Sequence, residues 1–281
     1  MADSRGDRWF AGKRVVLTGG SSGIGRSLAL GLARRGASLI LLARREAPLE
    51  EMLGLLEPLH SRHSQSFQVH ALDVGDREVV ERVLVEYDRE CPVDVLINCA
   101  GVAWADYLER TPAEVFAEMI RVNYLGAVWT TLALAPAFRR RGAGVIANVA
   151  SMAAATAFIG YAAYAPSKFA LVGFSEAIRS ELGPDGVQVS LLLPPDTRTP
   201  QLAAESLTRP AETTAIARWA RVLDPEPVAE AFLNGIAAGR FLVIPGWDAW
   251  LSYQLARHLP GPTRWFLDRV VKRTRGRMNR K

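Results

Sequence analysis

The stretch "TGGSSGIG", Thr18 to Gly25, joins an apolar run of strand length to a helical pattern. The run is Arg14–Thr18, and the helical pattern begins at Ile24. Glycines in such a turn let the backbone approach a pyrophosphate at a helix N-terminus, where unpaired N–H groups favour anions. An ordinary tight turn would also use glycines, so the assignment depends on the rest of the chain. The predicted phosphate contacts are Gly19, Ser21, Ser22, Gly23, Ile24 and Gly25.

Apolar runs of strand length alternate with helical patterns along most of the chain. This order predicts an α/β fold, a Rossmann-type doubly wound seven-stranded parallel sheet with helices on both faces. "TPAE" at Thr111 to Glu114 predicts a capping box that opens a long helix toward Phe138. One domain is expected over residues 1–260, with a lid at about 197–225 and a basic amphipathic tail at 261–281. The predicted strands are Arg14–Thr18, Ser38–Ala43, Phe67–Leu72, Val93–Asn98, Gly144–Val149, Gln188–Leu193 and Phe241–Ile244.

The end of the second predicted strand, "LLARRE", indicates which dinucleotide would fit. A site for NAD usually has an acid here to hold the ribose hydroxyls, but this chain has Ala43 followed by Arg44 and Arg45. A guanidinium binds a 2′-phosphate with two hydrogen bonds, so these residues favour NADPH. The alternative is a solvated strand end. Further coenzyme contacts are expected from Asp73, which is placed to meet the adenine, and from Val74, Asn98, Ala100 and Gly101.

A tyrosine and a lysine in "YAPSK" could carry the chemistry. Tyr164 and Lys168 are four residues apart, so on a helix they share one face. A neighbouring ammonium and a bound cationic nicotinamide would lower the pKa of the phenol, which could then protonate a carbonyl oxygen. Ser151 could hydrogen-bond the same oxygen, and Asn123 could hold a water that feeds protons to Lys168. Each residue taken alone has an ordinary explanation, as a surface pair, a turn serine or a buried helical amide.

Together these elements resemble the short-chain dehydrogenase/reductase family. The resemblance covers about residues 10–250, where the TGxxxGxG, NxAG, Asn, Ser and YxxxK elements occur in order. It implies Ser151, Tyr164 and Lys168 as catalytic residues and Asn123 as the fourth member. "NCAG" departs from the usual NNAG at Cys99 but keeps Asn98. The resemblance also implies a homo-oligomer, through helices near 111–138 and 164–182 that pair across a two-fold axis.

The double proline in "PPDTRTP" points to a narrower resemblance. In the family this loop borders the nicotinamide and usually has Pro-Gly followed by a threonine, whereas this chain has Pro194, Pro195, Asp196 and Thr197. The resemblance therefore implies coenzyme contacts from Pro194 and Thr197. This stretch, "AESLTRPAETTAI" and the "LLAR" strand end are similar to the 3-ketodihydrosphingosine reductase subfamily. That similarity implies NADPH-dependent reduction of the 3-keto group of 3-ketosphinganine, a small lipid ketone. Asp196 could pair with the substrate's ammonium, or it could simply cap a turn.

The charge is concentrated at the C-terminus. The net charge is +5, but residues 264–281 contain eight Arg or Lys and one acid. The pI therefore reflects a tail, and nucleic acid is not an expected partner. Aromatic and apolar residues beside these charges suit an anionic membrane surface, contacted through residues 247–281. The alternative is a packed terminal helix with a disordered, solubilising tail.

The remaining sequence features bear on location and on rival functions. Two cysteines form no disulfide framework or metal-ligand spacing, so no metal and a reducing, cytoplasmic location are expected, with possible attachment to the membrane's cytoplasmic face. The N-terminus does not resemble a signal peptide. The uncharged stretch Gly142–Ser167 is interpreted as a buried strand and a site loop. The rival functions are another lipid, 3-oxoacyl or steroid ketoreductase of the family and a catalytically silent NADPH-binding scaffold.

Overall fold

The computed structural model describes residues 8–60 and 65–278. Seven parallel strands form one sheet in the order β3-β2-β1-β4-β5-β6-β7. The order reverses direction beside β1, which creates the crevice where ligands bind in sheets of this kind. The strands are β1 Arg14–Thr18, β2 Ser38–Ala43, β3 Phe67–Ala71, β4 Val95–Asn98, β5 Gly144–Val149, β6 Val187–Leu192 and β7 Leu242–Val243.

Helices cover both faces of the sheet. The helices are α1 Gly23–Arg34, α2 Glu46–Leu56, α3 Arg77–Glu90, α4 Ala113–Ile120, α5 Gly126–Arg141, α6 Tyr164–Leu182, α7 Pro200–Glu205, α8 Ala211–Ala217, α9 Pro225–Ala237, α10 Trp247–His258 and α11 Pro260–Met278. Side chains of β1 alternate between the faces, so Val15 and Leu17 join the core under α1, α2 and α9. Val16 joins the core under α3, α5 and α6. The predicted α/β fold is confirmed.

The predicted strands agree with the structure to within two residues. Three of them, Arg14–Thr18, Ser38–Ala43 and Gly144–Val149, have the predicted bounds. Gly142–Ser167 contains β5, the loop that follows it and the first turn of α6, as predicted. Among the described residues, none of the helices is both long enough and apolar enough to cross a membrane.

The predicted capping box at Thr111 is wrong. Pro112 takes the N-cap position with an extended backbone (φ −60°, ψ 145°), and the first helical residue is Ala113. The Thr111 hydroxyl donates instead to the Tyr107 carbonyl at 2.9 Å. The fixed ring of a proline is compatible with either position, so the pattern alone did not decide between them.

The long helix predicted after Thr111 is divided into two. A π-helical turn, Arg121–Leu125, separates α4 from α5. The turn contains Asn123, and such π turns occur frequently at functional sites because they rotate one side chain out of the helical register. The interruption therefore changes the direction in which a predicted site residue points.

Residues 247–278 form two consecutive helices. α11 packs on α8, where the Phe266 ring meets the Trp219 ring edge-on at 5.7 Å. Arg275 Nε donates to the fully buried Glu212 carboxylate at 2.8 Å. Two alternatives were predicted for this region, a membrane-contacting surface and a packed terminal helix with a disordered tail. The structure has a packed helix as far as Met278, residues 279–281 lie outside the described residues, and the membrane contact stays a prediction.

Candidate active site

The glycine turn forms a cradle between β1 and α1. Gly19 has φ +71°, and a Cβ there would lie 2.8 Å from the Ala100 backbone. A Cβ on Gly25 would lie 2.0 Å from the Gly19 carbonyl oxygen. Backbone approaches this close are possible only without side chains, and they leave space in front of the α1 N-terminus. No acidic residue occupies the first turn of α1, so this end favours an anion.

The end of β4 is tied to the cradle by one hydroxyl. Thr18 Oγ1 accepts hydrogen bonds from the backbone N–H groups of Cys99 and Ala100, both at 3.0 Å. The "NCAG" segment therefore lies directly beside the glycine turn. The sequence had predicted that both segments border the same crevice.

A single cavity of about 650 Å³ runs from this cradle past Tyr164 to the C-terminal helices. It brings together most of the predicted site residues. Those that line it are Gly19, Ser21, Ser22, Gly23, Ile24, Gly25, Arg44, Arg45, Val74, Ala100, Gly101, Ser151, Tyr164, Lys168, Pro194 and Thr197.

Three predicted site residues do not line the cavity. Asn98 is buried, where it donates to Asn148 at 2.9 Å and accepts from Thr130 at 2.6 Å. Its side chain thus joins β4 to β5 and α5 below the cavity. Asp73 accepts hydrogen bonds from Arg121 and from the Gly75 backbone, both at 2.9 Å. Burial raises the pKa of Asp73, but these hydrogen bonds outweigh it and hold the pKa below its usual value.

Asn123 is the third residue outside the cavity lining. Its Oδ1 accepts from the Val102 N–H at 2.8 Å, and its Nδ2 donates to the Val102 carbonyl and to Ser167 Oγ, both at 2.9 Å. The π-helical turn therefore directs this amide onto the loop after β4 and the start of α6. In this position Asn123 joins two walls of the site, and the predicted water beside Lys168 stays a prediction.

The end of β2 places two guanidinium groups at the cavity mouth. Arg44 and Arg45 are exposed there, and Arg44 Nη1 lies 3.4 Å from Glu118 Oε1. Ala43, where an NAD site would have its acid, also lines the cavity. The small side chain and two cations fit a phosphate at this end.

Ser151, Tyr164 and Lys168 meet where the cavity crosses the end of β5. Ser151 begins a short helical turn, and its Oγ accepts from the Ala153 N–H at 3.1 Å. Lys168 Nζ lies 5.9 Å from the centre of the Tyr164 ring and donates to the Val149 carbonyl at 3.1 Å. The lysine and the tyrosine thus share one face of α6, and the serine reaches the phenol from the opposite loop.

Burial shifts the pKa values of both Tyr164 and Lys168. Burial, followed by the negative charge of Glu205, raises the pKa of Tyr164 above its ordinary value, although a hydrogen bond with Ser151 acts in the opposite direction. Burial lowers the pKa of Lys168 to about 8. The lowering of the phenol pKa was predicted with the oxidised coenzyme bound and stays a prediction, whereas the net effect of the chain's own residues is to raise it. The phenol of this chain is protonated at neutral pH and ready to donate.

The double proline closes the cavity beside the catalytic residues. Its backbone is held by the short helical turn after β5, where the Met152 N–H donates to the Pro194 carbonyl at 3.0 Å. Thr197 donates its hydroxyl to the Pro195 carbonyl at 2.8 Å, so its oxygen remains an acceptor. Residues 196–198 pair with Leu223, which fixes both ends of the segment predicted to be a lid.

Sequence reasoning missed a polar cluster on the cavity wall. Glu205 and Arg209, one helical turn apart after the double proline, meet Tyr161 and Asp196. The available signal was the Glu–Arg spacing inside "AESLTRP", but nothing local shows that Tyr161 lies beside it. We name these four residues the Glu205 cluster.

Comparisons with known proteins agree with this geometry. Residues 13–210 match the family model described as short chain dehydrogenase. The chain belongs to the short-chain dehydrogenase family. It is accordingly an NAD(P)-dependent oxidoreductase that acts on a ketone or alcohol.

Individual members of this family are similar to the chain over most of its length. The chain is 37% identical over 242 residues to a 3-dehydrosphinganine reductase of Danio rerio, covering 85% of this chain and 73% of that protein. It is 36% identical over 246 residues to a 3-ketodihydrosphingosine reductase of Bos taurus, covering 87% and 74%. A short-chain dehydrogenase structure from Sphingobium yanoikuyae in complex with NADPH has a TM-score of 0.75 at 27% identity, covering 87% of this chain and 93% of that one.

Proposed function

We propose that the chain reduces the 3-keto group of 3-ketosphinganine to the alcohol, with NADPH as coenzyme. The observation that carries the proposal is the continuity of one cavity from a phosphate cradle, past Tyr164, to an apolar wall made by α10 and α11. A coenzyme and a long-chain ketone can therefore meet at the same phenol. The relatives named 3-dehydrosphinganine reductase and 3-ketodihydrosphingosine reductase support the choice of ketone.

The cradle residues fit a dinucleotide. The glycine turn and the α1 N-terminus would hold the pyrophosphate, and Arg44 and Arg45 would hold a 2′-phosphate. When bound, NADPH supplies the hydride that reduces the keto carbon.

The residues around the phenol supply the proton. Tyr164 donates its hydroxyl proton to the keto oxygen, and Ser151 holds that oxygen by a second hydrogen bond. The ammonium form of Lys168, on the same face of α6, stabilises the phenolate that remains. The surrounding burial excludes water, which strengthens each of these interactions.

Product analysis tests this proposal. Purified protein is incubated with NADPH and a panel of ketones, and the alcohols are identified by mass spectrometry. The proposal predicts sphinganine from 3-ketosphinganine at a higher kcat/KM than from 3-oxoacyl or steroid ketones. Faster reduction of one of those ketones would assign the rival activity, and binding of NADPH without turnover of any ketone would indicate a silent scaffold.

The exposed arginines at the end of β2 are expected to select the coenzyme. Each of the single substitutions Arg44→Ala and Arg45→Ala removes a charge-assisted contact worth about 1.5–3 kcal/mol. We expect KM for NADPH to rise by about tenfold or more, while KM for NADH changes by less than about twofold. The matched control Arg82→Ala, on an exposed face of α3, should change neither constant. Equal effects on both coenzymes would mean that these residues are only a solvated strand end.

We also propose that α10 and α11 contact an anionic membrane surface. Aromatic side chains on these helices are exposed, Trp247 by 71% and Trp265 by 62%, and exposed basic residues accompany them on α11. A peripheral surface of this kind would bring the end of the cavity to the bilayer that holds the substrate.

Vesicle flotation tests the membrane contact. With about 1 kcal/mol per basic residue near the surface, a triple change to glutamine at Lys272, Arg273 and Arg277 should weaken binding to phosphatidylglycerol vesicles by about 100-fold. The matched control carries glutamine at Arg82, Arg89 and Arg240, which lie on other exposed faces. Equal loss in both triple variants would show a nonspecific effect of net charge.

A further inference from the structure

We propose that the Glu205 cluster is a recognition subsite for the amino-alcohol head that lies next to the ketone. The inference rests on the proposed function, because it takes that substrate's chemistry as given. It assigns Glu205 and Asp196 to the ammonium and Arg209 to the neighbouring hydroxyl oxygen. In this assignment Glu205 makes the main charged contact with the ammonium, whereas the sequence had suggested Asp196 for that contact.

The cluster is a built site with most of its charge withdrawn from water. The side chains of Glu205 and Arg209 are 8% and 9% exposed, and that of Asp196 is 31% exposed. Arg209 Nη1 lies 3.1 Å from Asp196 Oδ2, and its Nη2 lies 3.6 Å from Glu205 Oε2 and also donates to the Tyr161 hydroxyl. The Tyr161 hydroxyl donates to Glu205 Oε2 at 2.8 Å. These contacts hold both carboxylates at the cavity wall.

The charges of the cluster do not balance. It contains two carboxylates and one guanidinium, so with all groups ionised it carries one net negative charge. Buried charge is costly unless it is paired, and a ligand cation would complete the set. The cluster also lies close to the catalytic phenol, since the ring centres of Tyr161 and Tyr164 are 5.5 Å apart. A cation one carbon away from a ketone held by Tyr164 would therefore fall near the two carboxylates.

A buried nitrogen indicates the second part of the ligand. Arg209 Nε has no hydrogen-bond partner among the described residues, although the other two nitrogens of its guanidinium are paired. A buried donor without a partner costs about 1–3 kcal/mol, so an acceptor from the ligand would be stabilising. A group that brings both a cation and an acceptor oxygen to this place is a 1-hydroxy-2-amino unit.

The same cluster would link recognition to proton donation. Burial raises the pKa of Tyr164, and the negative charges of Glu205 and Asp196 raise it further. A bound ammonium offsets those charges and makes the phenol a stronger acid at the moment when the ketone is in place. With a ketone that lacks the amine, the phenol would remain a weaker proton donor and the two carboxylates would have no ligand cation to pair with.

The test compares two water-soluble ketones with the same short chain, the 1-hydroxy-2-amino-3-ketone and its analogue without the amine. For the unmodified protein we expect kcat/KM to favour the amine by at least about 30-fold, as for a buried charge pair. Glu205→Gln keeps the shape of the side chain and should reduce this preference by about 10-fold or more. Asp196→Asn, at a more exposed position, should reduce it by a smaller factor. The control Glu51→Gln, on an exposed part of α2, should leave it unchanged.

A binding measurement separates this inference from the proposed reaction. Calorimetric titration of the corresponding amino alcohol and of its analogue without the amine, with NADP⁺ present, should show tighter binding of the amine that is lost in Glu205→Gln. Equal turnover and equal binding of the two series would overturn the subsite and leave ketone reduction standing. Binding of the amine that depends on Glu205, without turnover of either ketone, would support the subsite and overturn the reaction. Thermal unfolding of each variant shows that its fold is intact.

Discussion

Replacing the phenol in Tyr164→Phe is expected to reduce kcat for ketone reduction by about 1,000-fold, within the range found for loss of a general acid. The substitution removes only the hydroxyl, and the ring stays in its buried position. Because Tyr164 is protonated in this chain, it is the proton source that the reduction loses. Coenzyme affinity should change by less than about twofold, since the cradle is untouched. Steady-state kinetics and fluorescence titration with NADPH measure the two quantities.

A second tyrosine provides the matched control for this experiment. Tyr87, on α3, packs against His70 and lies outside the cavity lining. Tyr87→Phe should therefore retain the kcat of the unmodified protein. If Tyr164→Phe retained more than a tenth of kcat, the proton would have to come from another donor, and the assignment of the active site would be wrong.

Adding a side chain in Gly25→Val is expected to raise the dissociation constant for NADPH by about 100-fold or more, which corresponds to about 2.7 kcal/mol. The new Cβ would lie 2.0 Å from the Gly19 carbonyl oxygen, and both atoms are attached to backbone. One of the two segments must move, so the spacing between the glycine turn and the α1 N-terminus is lost. The melting temperature should also fall, because overpacking of this kind costs about 1–3 kcal/mol.

A glycine in an open position controls for the loss of glycine itself. A Cβ on Gly54, in the exposed part of α2, would meet no atom within 4 Å. Gly54→Ala should leave NADPH binding unchanged and stabilise the fold by up to about 1 kcal/mol, the difference in helix propensity. If Gly25→Val bound NADPH with the affinity of the unmodified protein, the close contact at Gly25 would not control NADPH binding.

Local patterns were sufficient to predict the sheet and the cradle. Strands such as Ser38–Ala43 are continuous apolar runs because both faces of the sheet are covered, and Gly36 ends α1 with φ +81° just before that strand. The glycines of the turn were predictable because the backbone there approaches other backbone atoms too closely for a side chain. Features that depend on neighbours in sequence were therefore the ones that could be predicted.

Features that depend on contacts across the fold were missed. The raised pKa of Tyr164 comes from burial and from Glu205, which is far from it in sequence. The π-helical turn contains Asn123, whose amide pairs with Val102 on a loop that the helix meets only in the folded chain. The predicted pairing of helices between two copies and the cytoplasmic location stay predictions.

The pairing of Glu212 with Arg275 joins distant parts of the chain at one buried charge. The fully buried Glu212 carboxylate accepts hydrogen bonds from the Tyr107 hydroxyl at 2.7 Å and from Arg275 Nε at 2.8 Å. A buried carboxylate that loses its cation is destabilising, so removal of α11 should also disturb α8, on which it packs. Because residues of α11 line the cavity, its wall and the buried charge depend on the same helix.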